Sequence, residues 1–256
     1  MNAITPIKPD VAKGITAQGR YVVTPDGVAL GYNNNRDVER ILTLMDSSLR
    51  KYNASPPTHV EVKPELLDEQ TAIRPSSGTT LIRSFSRIRP VPVGSDIANA
   101  NVARDHLWIT PEESATMRAS DLVPPTLITR MCRFHFIDNV RGEPDPWLTS
   151  EILKKEFKLK PLSTRAKQLT VSFKMEKPGS KLGVEGSALF KLEWNQRGEL
   201  QFEGIVEATA WGAGQWTGTP PTGRFRLVQA YMTVDDAMAK VVPPQFIVFG
   251  NEYFAR

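Results

Sequence analysis

From residue 167 onward apolar side chains recur at every second position, and this period of two constrains the chain more than any other feature. Leu169, Val171, Phe173 and Met175 alternate with Thr, Ser and Lys. Val184, Gly186, Ala188, Phe190, Leu192 and Trp194 follow, then a turn at Asn195–Gly198, then Leu200, Phe202, Gly204, Val206, Ala208 and Ala210. Alternation joined by short turns is the pattern of antiparallel strands with one face buried. With further strands expected at Arg224–Val234 and Gln245–Phe249, residues 167–250 read as a twisted antiparallel sheet able to curl into a barrel-like form.

Helical spacing appears elsewhere. Val38, Ile41, Leu42, Met45, Leu49 and Tyr52 define one apolar helix face, preceded by Asn35 as a candidate cap. Thr110-Pro111-Glu112-Glu113 carries Thr at the cap, Pro at the first turn and Glu three residues on, which predicts a capped helix start. Leu127, Ile128, Met131 and Cys132 predict a helix from Pro125 to about Arg133, running into Phe134–Asp138, which alternates like a strand. Residues 79–89 read as a strand, 90–104 as irregular, Thr149–Phe157 as a short helix, and Pro64–Leu67 as at most one helical turn. Paired prolines at 56–57, 124–125, 220–221 and 243–244 punctuate the chain. The fold class expected is therefore α+β: a ββα segment over 1–55, a linker over 56–78, and a larger α+β domain over 79–256.

The front segment begins with two short strands around Pro25-Asp26-Gly27, followed by the helix that ends near Tyr52. Residues 14–52, from Gly14 through Gly27 to that helix, resemble the closing strand–turn–strand–helix unit of thioredoxin-like proteins. The resemblance implies the tail of such a domain, with a sheet completed by other parts of the chain or by a partner. The family's Cys-x-x-Cys would lie upstream and is absent, and Gln18-Gly19 stands where the family carries a proline.

Composition excludes several classes. A chain of 256 residues that is 40% hydrophobic can build a core, and no apolar run is long enough for a transmembrane helix. One cysteine removes internal disulfides and multi-cysteine metal sites. The formal charge of +4 is spread evenly, with no basic block that could track a phosphate backbone, so nucleic acid is a disfavoured partner. The densest spot is Arg83, Arg87 and Arg89, which share a strand face with Phe85 and would suit a phosphate or an acidic partner. The amino terminus has no charged segment followed by an apolar one; with Met1 as the start, the expected location is cytoplasmic.

Candidate chemistry is sparse. Asp105, His106, His135, Asp138 and Glu143 are the densest polar groups among apolar neighbours, and they could form a two-His, carboxylate metal site or an acid–base pair. Their spacing matches no diagnostic motif. Cys132 falls on an apolar stripe, where a small buried hydrophobe is expected. Trp211-Gly212-Ala213-Gly214-Gln215-Trp216 is the most distinctive composition. Its glycines permit close backbone approach and its indoles an apolar wall, which suits a ligand or a peptide strand. The leading expectation is a non-catalytic binding or scaffold protein, acting through Trp211, Gly212, Gly214, Trp216 and the sheet surface on a protein or small-molecule ligand. A truncated thioredoxin-related redox protein is the alternative. A small metal-dependent or hydrolytic enzyme on the His/Asp cluster is the third. No cofactor is implied.

Overall fold

The computed structural model describes residues 19–24, 28–35, 37–56, 75–89, 102–142, 144–214, 217, 223–235 and 243–254. The chain divides into two compact units, Met1–Asp68 and Glu69–Arg256. The Pro25–Gly27 turn and the Pro64–Leu67 turn lie outside the described residues.

In the first unit, β1 (Arg20–Val23) pairs antiparallel with β2 (Ala29–Asn33), and α1 (Val38–Ala54) packs on this hairpin. Asp37, not Asn35, caps the helix: its carboxylate accepts from the Arg40 N–H at 3.0 Å, while the Asn35 side chain accepts from the Asp37 N–H. The helix side against the hairpin is set by Leu44 and Ser48, which sit so close over Gly31 that a Cβ there would meet Leu44 at 2.5 Å. Val38, Leu42, Met45 and Leu49, expected on the buried face, are exposed.

The second unit is a seven-stranded antiparallel sheet in the order β4-β3-β9-β8-β7-β6-β5. Its strands are β3 (Thr80–Arg89), β4 (Ala103–Ile109), β5 (Ile152–Pro161), β6 (Ala166–Glu176), β7 (Leu182–Trp194), β8 (Leu200–Gly212) and β9 (Arg224–Thr233). The sheet is open, with β4 and β5 as its edges, and it does not close into a barrel. Residues 103–109, expected to begin irregularly, form edge strand β4. Thr149–Glu151 is a single 3-10 turn, and the residues after it form β5, not a helix. Lys154, Lys155, Lys158 and Lys160 crowd this edge, where charge discourages further strand pairing.

One face of the sheet carries the core. The alternating residues of β6, β7 and β8 pack beneath α2 (Pro111–Ala119), α3 (Pro125–Arg130) and α4 (Gly250–Tyr253), with Met117, Leu127, Met131, Cys132, Phe134 and Phe136 as the covering layer. The run expected as a strand at Phe134–Asp138 instead prolongs α3 as a π-helical turn, Met131–His135, followed by a bend. That wide turn brings Phe136 flat onto Phe173, ring centroids 4.3 Å apart, and sends the His135 side chain toward β4. Gln245–Phe249, expected as a strand, is a 3-10 turn that folds Phe246 against Phe134.

The layer is fastened by Arg130, whose side chain is essentially buried. Its Nη1 and Nη2 clasp the Glu113 carboxylate at 2.9 and 2.6 Å, Nη1 also reaches the Trp108 carbonyl at 2.8 Å, and Nε reaches the Tyr253 carbonyl at 2.9 Å. Glu113 also completes the capping box of α2 with Thr110. One carboxylate thus caps the start of a helix and neutralises a buried cation. Removing one member of a buried pair leaves the other uncompensated, at a cost of about 3–5 kcal/mol. Glu113→Ala is expected to lower urea-unfolding stability by about that amount. The double variant Glu113→Leu/Arg130→Met is expected to lose less than Glu113→Ala alone, and a larger loss would contradict the buried-charge account.

Candidate functional site

The polar residues singled out from the sequence separate into three places. Asp105 and His106 are neighbours on β4 and therefore project to opposite faces. Asp105 enters the covered side, where Oδ1 accepts from the backbone N–H groups of His106 and Gln245, both at 2.7 Å. His135 comes to the same place: its Nδ1 lies 3.5 Å from Asp105 Oδ2, and its Nε2 is 2.8 Å from the Tyr253 hydroxyl. Gln229 ties this turn to the sheet by donating to Ser86 Oγ and to the carbonyls of His135 and Ile137. His106 faces the opposite side, with Arg83 Nε donating to its Nε2 at 3.4 Å. Asp138 lies apart from both, bonded to Arg141 Nε at 2.5 Å. Glu143 lies outside the described residues. Among the described residues no three His, Cys, Asp or Glu side chains are grouped as metal ligands.

Asp105, His135 and Tyr253 share the order carboxylate–imidazole–hydroxyl of a proton relay, but all three side chains are buried. Burial pushes the Asp105 carboxyl up to about 6, against the two N–H bonds that favour its charge. Burial, reinforced by the Arg130 charge, pushes His135 down to about 3. The imidazole is therefore neutral at pH 7, and the 3.5 Å approach is not an ion pair. Burial also drives the Cys132 thiol up to about 12, which leaves it protonated and unreactive.

Trp211 lies within β8, on the uncovered side of the sheet, yet it is only 7% exposed. Its indole lies over Gly183, where a Cβ would meet the ring at 2.2 Å, donates Nε1–H to the Ser180 carbonyl, and is capped by the Arg224 guanidinium at 4.3 Å. Gly212 adopts φ +78°, and a Cβ there would strike the Lys181 carbonyl, so this exit from β8 requires glycine. Its own carbonyl accepts from Arg141. Trp211, Gly183 and Gly214, with Asp138, Arg141 and Trp147, line a cavity of about 30 Å³, the room of one water. Trp216 lies outside the described residues.

The larger feature is the uncovered face itself. Strand register aligns Phe85, Ala230, Ile205 and Leu189 directly across β3, β9, β8 and β7. Met232 stands beside them; Leu189, Ile205 and Met232 are 54%, 55% and 50% exposed. The row continues to Thr170 and Lys158 at one end and to Arg104 at the other. Arg83, Arg87 and Arg89 do share this face with Phe85, as the sequence predicts. Leu189, Ile205 and Met232 are residues that motif reasoning missed; their signal was apolar side chains at the outward phase of otherwise polar alternation.

Comparison with known proteins finds no matching family, no matching curated protein and no matching solved structure, so the front segment's thioredoxin resemblance has no support beyond its hairpin and helix.

The two buried groups make a pH prediction. Asp105, raised in the fold, contributes stability that is present below its ordinary 3.8 and lost as pH rises through about 6. His135, depressed in the fold, contributes stability that is present above 6.5 and lost as pH falls toward about 3. In the overlap the folded chain holds a proton on Asp105 and the unfolded chain holds one on His135, so the two effects cancel. Asp105→Asn removes only the first. Relative to wild type, the variant should lose about 1.4 kcal/mol per pH unit as pH falls from about 6 toward 3.8, read by urea unfolding at stepped pH. An offset that stays constant across that range would contradict the assignment.

Proposed function

We propose that this protein is a non-catalytic docking protein whose open sheet face holds an acidic, amphipathic polypeptide segment. The observation that carries this reading is the outward apolar row Phe85–Ala230–Ile205–Leu189, widened by Met232. Side chains at the outward phase of a solvated strand are ordinarily polar, and a contiguous apolar patch rimmed by charge marks an interaction surface. At about 4.8 Å between strands the row spans about 14 Å. That is the length of about ten helical residues, enough for apolar anchors at i, i+3, i+4 and i+7.

Charge selects the partner. The β3–β4 end of the row is bordered by Arg83, Arg87, Arg89 and Arg104, and the β5 end by Lys158 and Lys160. Of the carboxylates on the β8 and β7 stretch, Glu207 and Glu185 are taken up by Arg226 and Arg224 at 2.6 and 2.8 Å, Glu193 is held by Lys191 at 2.8 Å, and Glu203 stands in register between Lys191 and Met232. Cationic ends around an apolar middle complement acidic flanks around an apolar seam. A nucleic acid is a poorer fit, because Phe85 is the row's single aromatic side chain. The buried state of Asp105, His135 and Cys132 supports a non-catalytic reading over the hydrolytic and redox alternatives.

Two fluorescein-labelled synthetic peptides of about 14 residues test this, with the same leucine seam and either Glu or Lys flanks. The Glu-flanked peptide is expected to bind the full chain in an anisotropy titration, and Leu189→Glu/Ile205→Glu is expected to weaken it at least tenfold without lowering the melting temperature. Equal binding of the Lys-flanked peptide, or binding unaffected by the double substitution, would overturn the proposal.

A further inference from the structure

At the cationic end of the open face, β3–β4 pairing sets Arg83 opposite His106 and Phe85 opposite Arg104. These four side chains, with Asp105, Pro243 and Gln245, line a depression of about 600 Å³. That falls within the roughly 300–1,000 Å³ range of small-molecule sites. The depression is built differently from the rest of the face. Arg224 and Arg226 each hold a glutamate. Arg104, within the lining, has no carboxylate in reach among the described residues; Arg87, outside the lining on the same strand face, has its Nε buried without a hydrogen-bond partner. Arg83 and Arg104 bring like charges to one strand pair within this lining, and an anion bound between them lowers that repulsion.

We propose that the depression lined by Arg83, Phe85, Arg104 and His106 is a binding site for a carboxylate carried on an apolar group. The planar guanidinium fork matches a carboxylate by paired N–H donors. Phe85 and Pro243 supply an apolar wall for the body that bears it. Arg83 is held toward the site by its bond to the His106 ring, which accepts at Nε2. Asp105, whose carboxylate is held by the Gln245 and His106 N–H groups within the same lining, opposes a doubly charged ligand more than a singly charged one. The inference deepens the docking reading, since an acidic side chain of a docked segment presents this chemistry, as does a free small acid.

The test is a titration of the isotope-labelled full chain with phenylacetate, followed by NMR at backbone amides and arginine Nε–H groups. Phenylacetamide and inorganic phosphate at matched ionic strength serve as controls. Saturable shifts at Arg83, Phe85, Arg104 and His106 are expected for phenylacetate at millimolar concentration or below, with none that saturate for phenylacetamide. Arg104→Gln should weaken phenylacetate at least tenfold and leave the remaining spectrum in place. Equal binding of phenylacetamide, equal affinity for phosphate, or an unaltered Arg104→Gln variant would overturn the proposal. Phenylacetate that competes with the Glu-flanked peptide assigns the site to the partner's carboxylate, whereas simultaneous binding assigns it to a free acid. Phenylacetate binding without peptide binding would leave this site standing and defeat the docking reading; the reverse would do the opposite.

Discussion

The second unit depends on one buried guanidinium. Arg130 joins the end of α3 to the start of α2 through Glu113, to β4 through the Trp108 carbonyl, and to the C-terminal turn through the Tyr253 carbonyl. A cation in that position is tolerable because it donates to the Glu113 carboxylate and two backbone carbonyls and lies near the Tyr253 and Phe254 rings, both 5.2 Å away. Its charge also reaches His135 and helps to hold that imidazole neutral. The same contact therefore sets the architecture of the helical layer and the protonation state of the polar network beneath it.

The described helices of this unit sit on one side of the sheet. The consequence is a division of labour between faces. The covered face buries aromatic and aliphatic side chains in one continuous core, and its polar residues are used internally, as Gln229 shows by bonding three separate groups. The uncovered face keeps its salt bridges on the β7–β9 stretch and leaves an apolar row and an arginine-rich corner at the β3–β4 end. Binding functions suit such a face, because what is presented to solvent is fixed by strand register and not by mobile loops.

Much of this was legible where a local rule decides the outcome. The strands β6, β7 and β8 follow from alternation alone, and the start of α2 follows from Thr110, Pro111 and Glu113, which need only one another. Failure came where the local pattern fits two periods. Ile152, Leu153 and Phe157 satisfy a helix as well as an edge strand, and Phe134–His135 alternates like a strand yet closes a π-helical turn because Phe136 must reach Phe173. β4 was hidden by the polar Arg104-Asp105-His106, of which one member is turned inward to meet backbone donors from Gln245, 140 residues away. Partnerships of that separation, like Arg130 with Tyr253, arise from topology and leave no spacing to read. For the site, the arginine face around Phe85 was legible as a strand face. Its convergence with Leu189 and Ile205 was not, because it needs the order in which the strands pair.

One face of the sheet is sealed and the other is presented to solvent, and the methionines report on both. Met232 stands on the open face, whereas Met117, Met131 and Met175 are fully buried. Native protein treated briefly with dilute hydrogen peroxide and mapped by peptide mass spectrometry should show Met232 oxidised rapidly and the three core methionines protected until unfolding. Protection of Met232 to the same degree as Met117 would mean that the face is covered, and it would contradict the account.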